Sequence, residues 1–437
     1  MIQIREFATL TCDTQANQSL DVGVVTPSTF DWLIDLHSSW QTDSKLLVRQ
    51  NKAFLKIGNY VGYLQSPSGE GIEILPKTEQ ISPEEPEKLR LLLQDMLSVR
   101  RDLNYREGDS ASLSRINQPL HEWVVAQFLN HLTGLVKRGL RFDYENVEEE
   151  SRFIRGQLDM GRQSRQSPAR ATWFNIRHDV FTPNRVENRL LRTALDYALK
   201  LTKNSINWRM ANTLSHQLAV IEPISEPLRE LPKWQNTKLM RPYQAIKPWC
   251  TLILEKLNPN FQHGLHSGIS MLFPMEQLFE GYVAYHLQRS VSKEARFKSQ
   301  ASTQHLVTHT ARGRMAQQWF QLRPDILVSY GETKSVMDTK WKLLDANQDT
   351  TAEKYGIGQA DLYQLFAYGH KYQNGHGHML LIYPKHSCFE RPLPQFSFNN
   401  DLHLWCVPFD LYRKRIVSGE WEAHFPWLTD QGLVGGA

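Results

Sequence analysis

At 437 residues the chain exceeds one ordinary hydrophobic core, so two or three domains are expected, and its 41% hydrophobic and 22% charged content is that of a soluble globular protein. No apolar run approaches the ~20 residues of a membrane helix. MIQIREFATLTCD lacks the blocks of a secretory signal, and the four cysteines are scattered with no CxxC pair. This argues against a membrane protein, a secreted protein and a zinc ribbon, and for reduced thiols in the cytoplasm; a net charge of +4 is too small to indicate nucleic acid by itself.

Residues 1 to about 80 read as β-rich: LLVRQ, AFLKIG, YVGYLQ and GIEILP are strand-like runs, and Ser66 to Gly71 is a turn between two of them. A helix is predicted next, with Ser82 as N-cap, Pro83 at its first position and Glu84, Glu85 and Glu87 at the positive end of the dipole. Leu89, Leu92, Leu93, Met96 and Leu97 follow at helical spacing. The middle reads as mainly helical, with amphipathic segments from Leu120 to Lys137 and from Asn184 to Lys200, and further helices over 205–265.

Between those two segments stand Arg152, Arg155, Arg162, Arg165, Arg170 and Arg177, with Trp173 and Phe174 and the strand-like pieces RFIRGQLDM and ATWFNI. A basic, aromatic-bearing stretch can grip a phosphate backbone, but it can equally be a solvated face or dock an acidic protein partner. From Met271 the order is a helix (MEQLFEGYVAYHLQRSV), a strand beginning near Pro324–Asp325, a turn at Gly331 to Lys334, a strand from Ser335 to Trp341, a helix from Gln359 to Lys371 and a strand from His378 to Tyr383. The expected class is therefore mixed α+β and multidomain: β-rich over 1–100, helical over 101–265, and a mixed α/β core over 266–437.

The chemistry lies in RPDILVSYGETKSVMDTKW. A hairpin can bring Asp325 beside Asp338, and strand alternation points Asp338 and Lys340 to one face. Two converging carboxylates repel unless a cation sits between them, and Mg²⁺ binds through one or two carboxylates plus water and phosphate. A metal there would polarise a phosphate and help form hydroxide, with Lys340 near the attacking water. That combination suits phosphodiester hydrolysis; its bland alternative is a surface hairpin with a local Asp–Lys pair. Glu276 and Glu280 share one face of the preceding helix, and either could add a carboxylate. Gln359, Asp361, Tyr363 and Gln364 crowd the start of the later helix, where they could position water or simply cap and face solvent. There is no GxxxxGK[ST] and no HExxH, and the glycine-rich setting of His376 and His378 favours a loop over a metal site.

RPDILV…VMDTKW, then QADLYQLFAYGHKY, then MLLIYP, resembles the nuclease domain of the McrC family, the nuclease subunits of McrBC-type restriction systems. FIRGQLDMGRQSRQ and FTPNRVENRLLRTAL are similar to the family's middle segment. NYVGYLQSPSGEGIEILPK with EKLRLLLQDML is similar to the N-terminal region of its longer members. The resemblance implies a C-terminal PD-(D/E)xK endonuclease domain that cuts double-stranded DNA with Mg²⁺, Mn²⁺ being a substitute. Asp325, Asp338 and Lys340 would be the catalytic set and Gln364 a supporting residue; Glu280 falls at a position not reliably acidic in the family. It also implies a ring-forming AAA+ GTPase partner of the McrB kind, which part of the arginine stretch (Arg155, Arg162, Arg165) would face. Nuclease domains would pair on DNA to cut both strands. A non-catalytic activator of the ring and a stand-alone nuclease are the two alternatives.

Overall fold

The computed structural model of the protein describes residues 1–39, 46–49, 53–78, 86–100, 118–256, 268–312 and 314–429. The chain divides into two compact units, Met1–Asn117 with Leu272–Ala437, and Gln118–Met271. The N-terminal region therefore shares a unit with the C-terminal third.

The first unit opens with β1 (Ile2–Arg5), β2 (Thr9–Thr11), β3 (Val22–Val24), α1 (Pro27–Ser39), β4 (Leu47–Arg49), β5 (Phe54–Ile57), β6 (Tyr60–Gln65) and β7 (Gly71–Leu75). One sheet runs β3-β2-β5-β4; the other runs β1-β7-β6 and continues to a strand at Ile269–Pro274. Every residue of β6 and β7 is buried, so these strands are covered on both faces, which is why they read as apolar runs without alternation. Ile4, Leu10, Leu33, Leu55, Leu64 and Ile72 belong to one core cluster. The β-rich reading of this region names no helix, yet it contains α1, whose Phe30, Trp32, Leu33 and Leu36 face that core.

The next helix, α2, spans Pro86–Arg100. The cap expected at Ser82, with Pro83, Glu84 and Glu85, lies outside the described residues. The predicted stripe from Leu89 to Leu97 is buried. Arg90 crosses to Glu73 of β7 in a buried two-pronged pair, Nη2 to Oε2 at 2.6 Å and Nε to Oε1 at 2.9 Å, which fixes the helix on the sheet.

The second unit contains α3 (Leu120–Arg138), a three-stranded sheet of β8 (Asp143–Ser151), β9 (Gln157–Leu158) and β10 (Phe174–Thr182), and helices α4 (Val186–Leu201), α5 (Ser205–Gln217) and α6 (Lys247–Lys256). Trp123, Phe128, Leu132, Leu191, Leu195, Trp249 and Ile253 are buried in it. Glu122 is a buried polar junction: it accepts from Thr202 Oγ1 and Lys203 N, both at 2.6 Å, and from Asn207 Nδ2 at 2.8 Å. Burial raises its pKa, but the hydrogen bonds from Thr202, Asn207 and Lys203 outweigh burial and hold it below the usual value. Glu122→Ala strands those donors and is expected to cost roughly 3 kcal/mol, read as a lower urea midpoint.

The chain then returns through β11 (Ile269–Pro274) to α7 (Met275–Gln288), followed by β12 (Arg296–Ser299), β13 (Gln304–His309), β14 (Gln317–Leu322), β15 (Ile326–Tyr330), β16 (Thr333–Thr339), α8 (Gln359–Gln373), β17 (Gly377–Pro384), β18 (Phe396–Ser397), β19 (Leu402–Asp410) and β20 (Arg415–Ile416). The main sheet has the order β12-β15-β16-β17-β19-β18, with β20 beside β19. β16 is antiparallel to β15 and parallel to β17; β17 is parallel to β19. Helix α8 lies on this sheet through Leu365, Tyr368 and Tyr372. A Cβ on Gly369 would come within 2.7 Å of Leu402 Cδ2, so glycine is what lets the helix approach so closely. β13 and β14 form a separate two-stranded hairpin that no sequence pattern marks, while the strand expected from near Pro324–Asp325 is β15.

Candidate active site

The hairpin of β15 and β16 is in register at Ile326↔Met337, which sets Asp325, one residue before β15, across from Asp338. Asp325 is fixed by the next residue of β16: its Oδ2 accepts both Thr339 N and Thr339 Oγ1 at 2.7 Å. Lys340 leaves the end of β16 with its N–H bonded to Ile382 O of β17 at 2.9 Å. Its ammonium turns back to Asp338 Oδ2 at 2.5 Å. The three residues read from the sequence as one constellation are thus brought together.

Asp338 is 1% exposed; Oδ2 is held by Lys340, and Oδ1 has no hydrogen-bond partner among the described residues, which leaves the charge of Lys340 as the counterweight of this acid. Burial and the facing charge of Asp325 push its pKa up to about 7 despite Lys340. Asp325 is also raised: burial outweighs the bonds from Thr339 and the pull of Lys340, with Glu276 adding repulsion. Burial would lower Lys340, but attraction to Asp338 and then Asp325 leaves its pKa raised, so it stays a cation.

Helix α8 supplies the next layer. Lys340 Nζ donates to Gln364 Oε1 at 3.3 Å, and Asp361 Oδ1 stands 4.0 Å from the same ammonium. Gln364 Nε2 reaches Tyr368 OH at 2.7 Å, and Tyr368 OH donates to Arg323 O at 3.0 Å. Gln364 was legible from its place in the helix; Tyr368 was hidden among apolar positions. On the expectation of phosphodiester hydrolysis, Tyr368→Phe should break this chain and lower the cleavage rate roughly tenfold with little change in KM, as for other groups that orient a site from behind. Steady-state kinetics on a DNA substrate would check it.

Of the two glutamates left open by the sequence, Glu280 is half-buried and accepts from Gln300 Nε2 at 2.9 Å. Glu276 is exposed, yet close enough to repel Asp325. Gln300 went unrecognised: it sits in left-handed backbone at φ 47° and donates its N–H to Asp325 O at 2.7 Å, so it ties Glu280 to the site. His378 is packed against His424 at 3.9 Å and takes a hydrogen bond from Trp405 Nε1 at 3.1 Å. His376 is exposed, 3.9 Å from Asp401.

The donor set fits a hard divalent cation. A buried carboxylate with one oxygen free of hydrogen bonds, beside a second carboxylate, offers the ligands such an ion takes. No cluster of three or more His, Cys, Asp or Glu suited to a metal occurs among the described residues. Asp325 and Asp338 would therefore leave most of the coordination sphere to water and phosphate, as suits Mg²⁺.

The arginine stretch is placed differently. Glu148, Glu149 and Glu150 of the unrecognised acidic strand β8 meet Arg162 at 2.8 Å, Arg155 at 3.2 Å and Arg170 at 2.7 Å. Arg177 meets Glu148 at 2.8 Å and Asp159 at 2.7 Å, and Arg152 lies over the ring of Trp173. Arg165 is exposed and in no ion pair among the described residues. Most of this basic charge is thus neutralised within the chain.

Residues 55–384 match the family described as McrBC 5-methylcytosine restriction system component. No curated protein matches the chain. Among solved structures, a chain of the refined half-complex from the tetradecameric assembly of Thermococcus gammatolerans McrB AAA+ hexamers with bound McrC is similar over 97% of this chain and 98% of its own, at 18% identity and a TM-score of 0.64. A chain of the Thermococcus gammatolerans McrBC complex matches over 66% of this chain and 87% of its own, at 21% identity and a TM-score of 0.49.

Proposed function

This chain belongs to the family of McrBC 5-methylcytosine restriction system components, and from that premise we propose that it is the DNA endonuclease subunit of such a system, its C-terminal mixed sheet being a PD-(D/E)xK nuclease fold. One observation carries the reading. Asp338 is buried opposite Asp325, with its Oδ2 held by the ammonium of Lys340 at 2.5 Å and its Oδ1 without a hydrogen-bond partner among the described residues. Such a pair is costly to fold unless a cation or its substrate satisfies it.

Asp325 and Asp338 would hold Mg²⁺, which when bound polarises the phosphate and makes water more acidic. Lys340, kept charged by its two aspartates, orients the attacking water and offsets charge that develops on the phosphate. Gln364 holds the lysine from α8, and Tyr368 holds Gln364. Thr339 keeps Asp325 turned toward Asp338 through two bonds.

The similar archaeal assembly contains McrB AAA+ hexamers with bound McrC. By analogy we assign this chain an AAA+ GTPase ring as partner, with Arg155, Arg162 and Arg165 of the second unit as candidate contacts. Cutting both strands would need two active sites, so two copies would meet on duplex DNA.

The test is Mg²⁺-dependent cleavage of methylated and unmethylated plasmid by the full chain, alone and with an McrB-like AAA+ protein plus GTP or ATP. Cleavage that requires partner and nucleotide and vanishes in Asp338→Asn is the expected result. Cleavage by the chain alone would point instead to a stand-alone nuclease. Stimulated nucleotide hydrolysis without any cleavage would make the chain an activator of the ring.

A further inference from the structure

Between Glu294 and Asp325 the sequence has no acidic residue and five cations: Arg296, Lys298, Arg312, Arg314 and Arg323. All five are exposed, and none is in an ion pair among the described residues. This is the reverse of the arginine stretch of the other unit, whose cations are mostly matched by β8.

The segment also has a form. β13 and β14 pair as an antiparallel ribbon, His305↔Gln321 through His309↔Gln317, and nearly every side chain on both faces is exposed. A six-residue strand reaches roughly 20 Å, so the ribbon is an arm rather than part of a core. Phe320 is 68% exposed in left-handed backbone at φ 59°, and Trp319 lies exposed against His309. Arg312 and Arg314 are in the connection at the far end.

The base of the arm is tied to the candidate active site. Tyr372 OH donates to Leu322 O at 3.0 Å and Tyr368 OH to Arg323 O at 3.0 Å. Tyr368 is also the group that holds Gln364 against Lys340. One hydrogen-bonded chain therefore joins the root of a cationic ribbon to the lysine beside Asp338.

We propose that the β13–β14 arm is a DNA clamp: it lies along a groove of the duplex beside the scissile phosphate, with Arg312 and Arg314 on the phosphate backbone. A two-stranded ribbon fits the major groove, roughly 12 Å wide. Unpaired cations on it release counterions from DNA, which paired ones cannot do. The assignment rests on the nuclease reading and supplies a surface by which that site takes its substrate.

The test is fluorescence anisotropy of a labelled 30-base-pair duplex with the full chain in EDTA, which prevents cutting, over a salt titration. Arg312→Ala/Arg314→Ala should reduce the magnitude of the slope of log affinity against log salt by about two. At 0.1 M salt that corresponds to an affinity loss on the order of 60-fold, since each contact contributes a power of about −0.9. Phe320→Ala, away from the charges, should weaken binding without changing the slope. Wild-type binding with an unchanged slope in the double variant would overturn the clamp and leave the nuclease reading intact. So would unchanged DNA binding with altered self-association in sedimentation, which would make the arm an interface between copies. Failure of the wild-type chain to bind duplex at any salt would overturn the clamp, while the nuclease reading stands or falls by the cleavage assay with partner and nucleotide.

Discussion

Asp338→Asn is expected to abolish Mg²⁺-dependent cleavage, by at least on the order of 10³-fold, while raising the melting temperature of the metal-free protein at pH 8. Loss of activity alone would fit many kinds of damage; a simultaneous gain in stability would not. Asp325, Asp338 and Lys340 carry a net negative charge when both acids are ionised, and Asp338 is the more deeply buried acid. Asparagine removes one negative charge and leaves Lys340 balanced by Asp325. The folded pKa of Asp338, about 7, lies above its ordinary value of 3.8. Its stabilising contribution is therefore complete below pH 3.8 and is lost as pH rises through 7. The variant escapes that loss, so its advantage should widen from pH 5 to pH 8 and reach about 2 kcal/mol, less than the full shift because the pair with Lys340 is also lost. Mg²⁺ should raise the melting temperature of the wild type and leave the variant unmoved. A variant less stable than wild type at pH 8 without metal would sink the view of this acid as a strained ligand.

Glu6→Gln carries the second large effect, on stability. Glu6 is fully buried, and its Oε1 accepts Lys77 N and Trp341 Nε1, both at 2.7 Å, while Oε2 has no hydrogen-bond partner among the described residues. Burial pushes its pKa up to about 8, against the lowering effect of those two donors. Its contribution is thus complete below about pH 4.5 and lost as pH rises through 8. Gln keeps an oxygen for both N–H groups and cannot ionise. The variant should match wild type at pH 5 and exceed it by roughly 3 kcal/mol at pH 9. Parallel urea midpoints for the two proteins from pH 5 to pH 9 would show that Glu6 does not titrate in this range. Because Trp341 follows Lys340 directly, intrinsic fluorescence should report the same transition in the wild type.

How far the sequence foretold this depends on whether a feature is local. The Asp325–Asp338–Lys340 set was legible because a short hairpin and strand alternation alone bring the three together. β16, β17 and α8 were legible for the same reason, each having an apolar pattern with a clear period. Partners distant in sequence left no signal: nothing in GEWEAH or IREFAT announces that His424 stacks on His378, or that Glu6 meets Trp341. β8 was missed because DYENVEEES is poor in strand-forming residues; pairing with β10 along its whole length, with arginines beside its glutamates, is what makes it a strand. The hairpin of β13 and β14 escaped because both of its faces are exposed, so it has no apolar alternation to read.

The pairing of arginines with the glutamates of β8 also affects how that sheet can meet anything else. Charges matched within a few ångströms cancel beyond a Debye length, about 8 Å in physiological salt. The sheet exerts little pull at a distance, and a partner would meet it at an unassisted diffusional rate, nearly indifferent to ionic strength. What it offers at contact is a pattern: alternating signs at strand spacing, with Phe153 and Ile154 exposed at 80% and 60% beside them. Such a surface selects by fit, so its discrimination would appear in how long a complex lasts, not in how fast it forms.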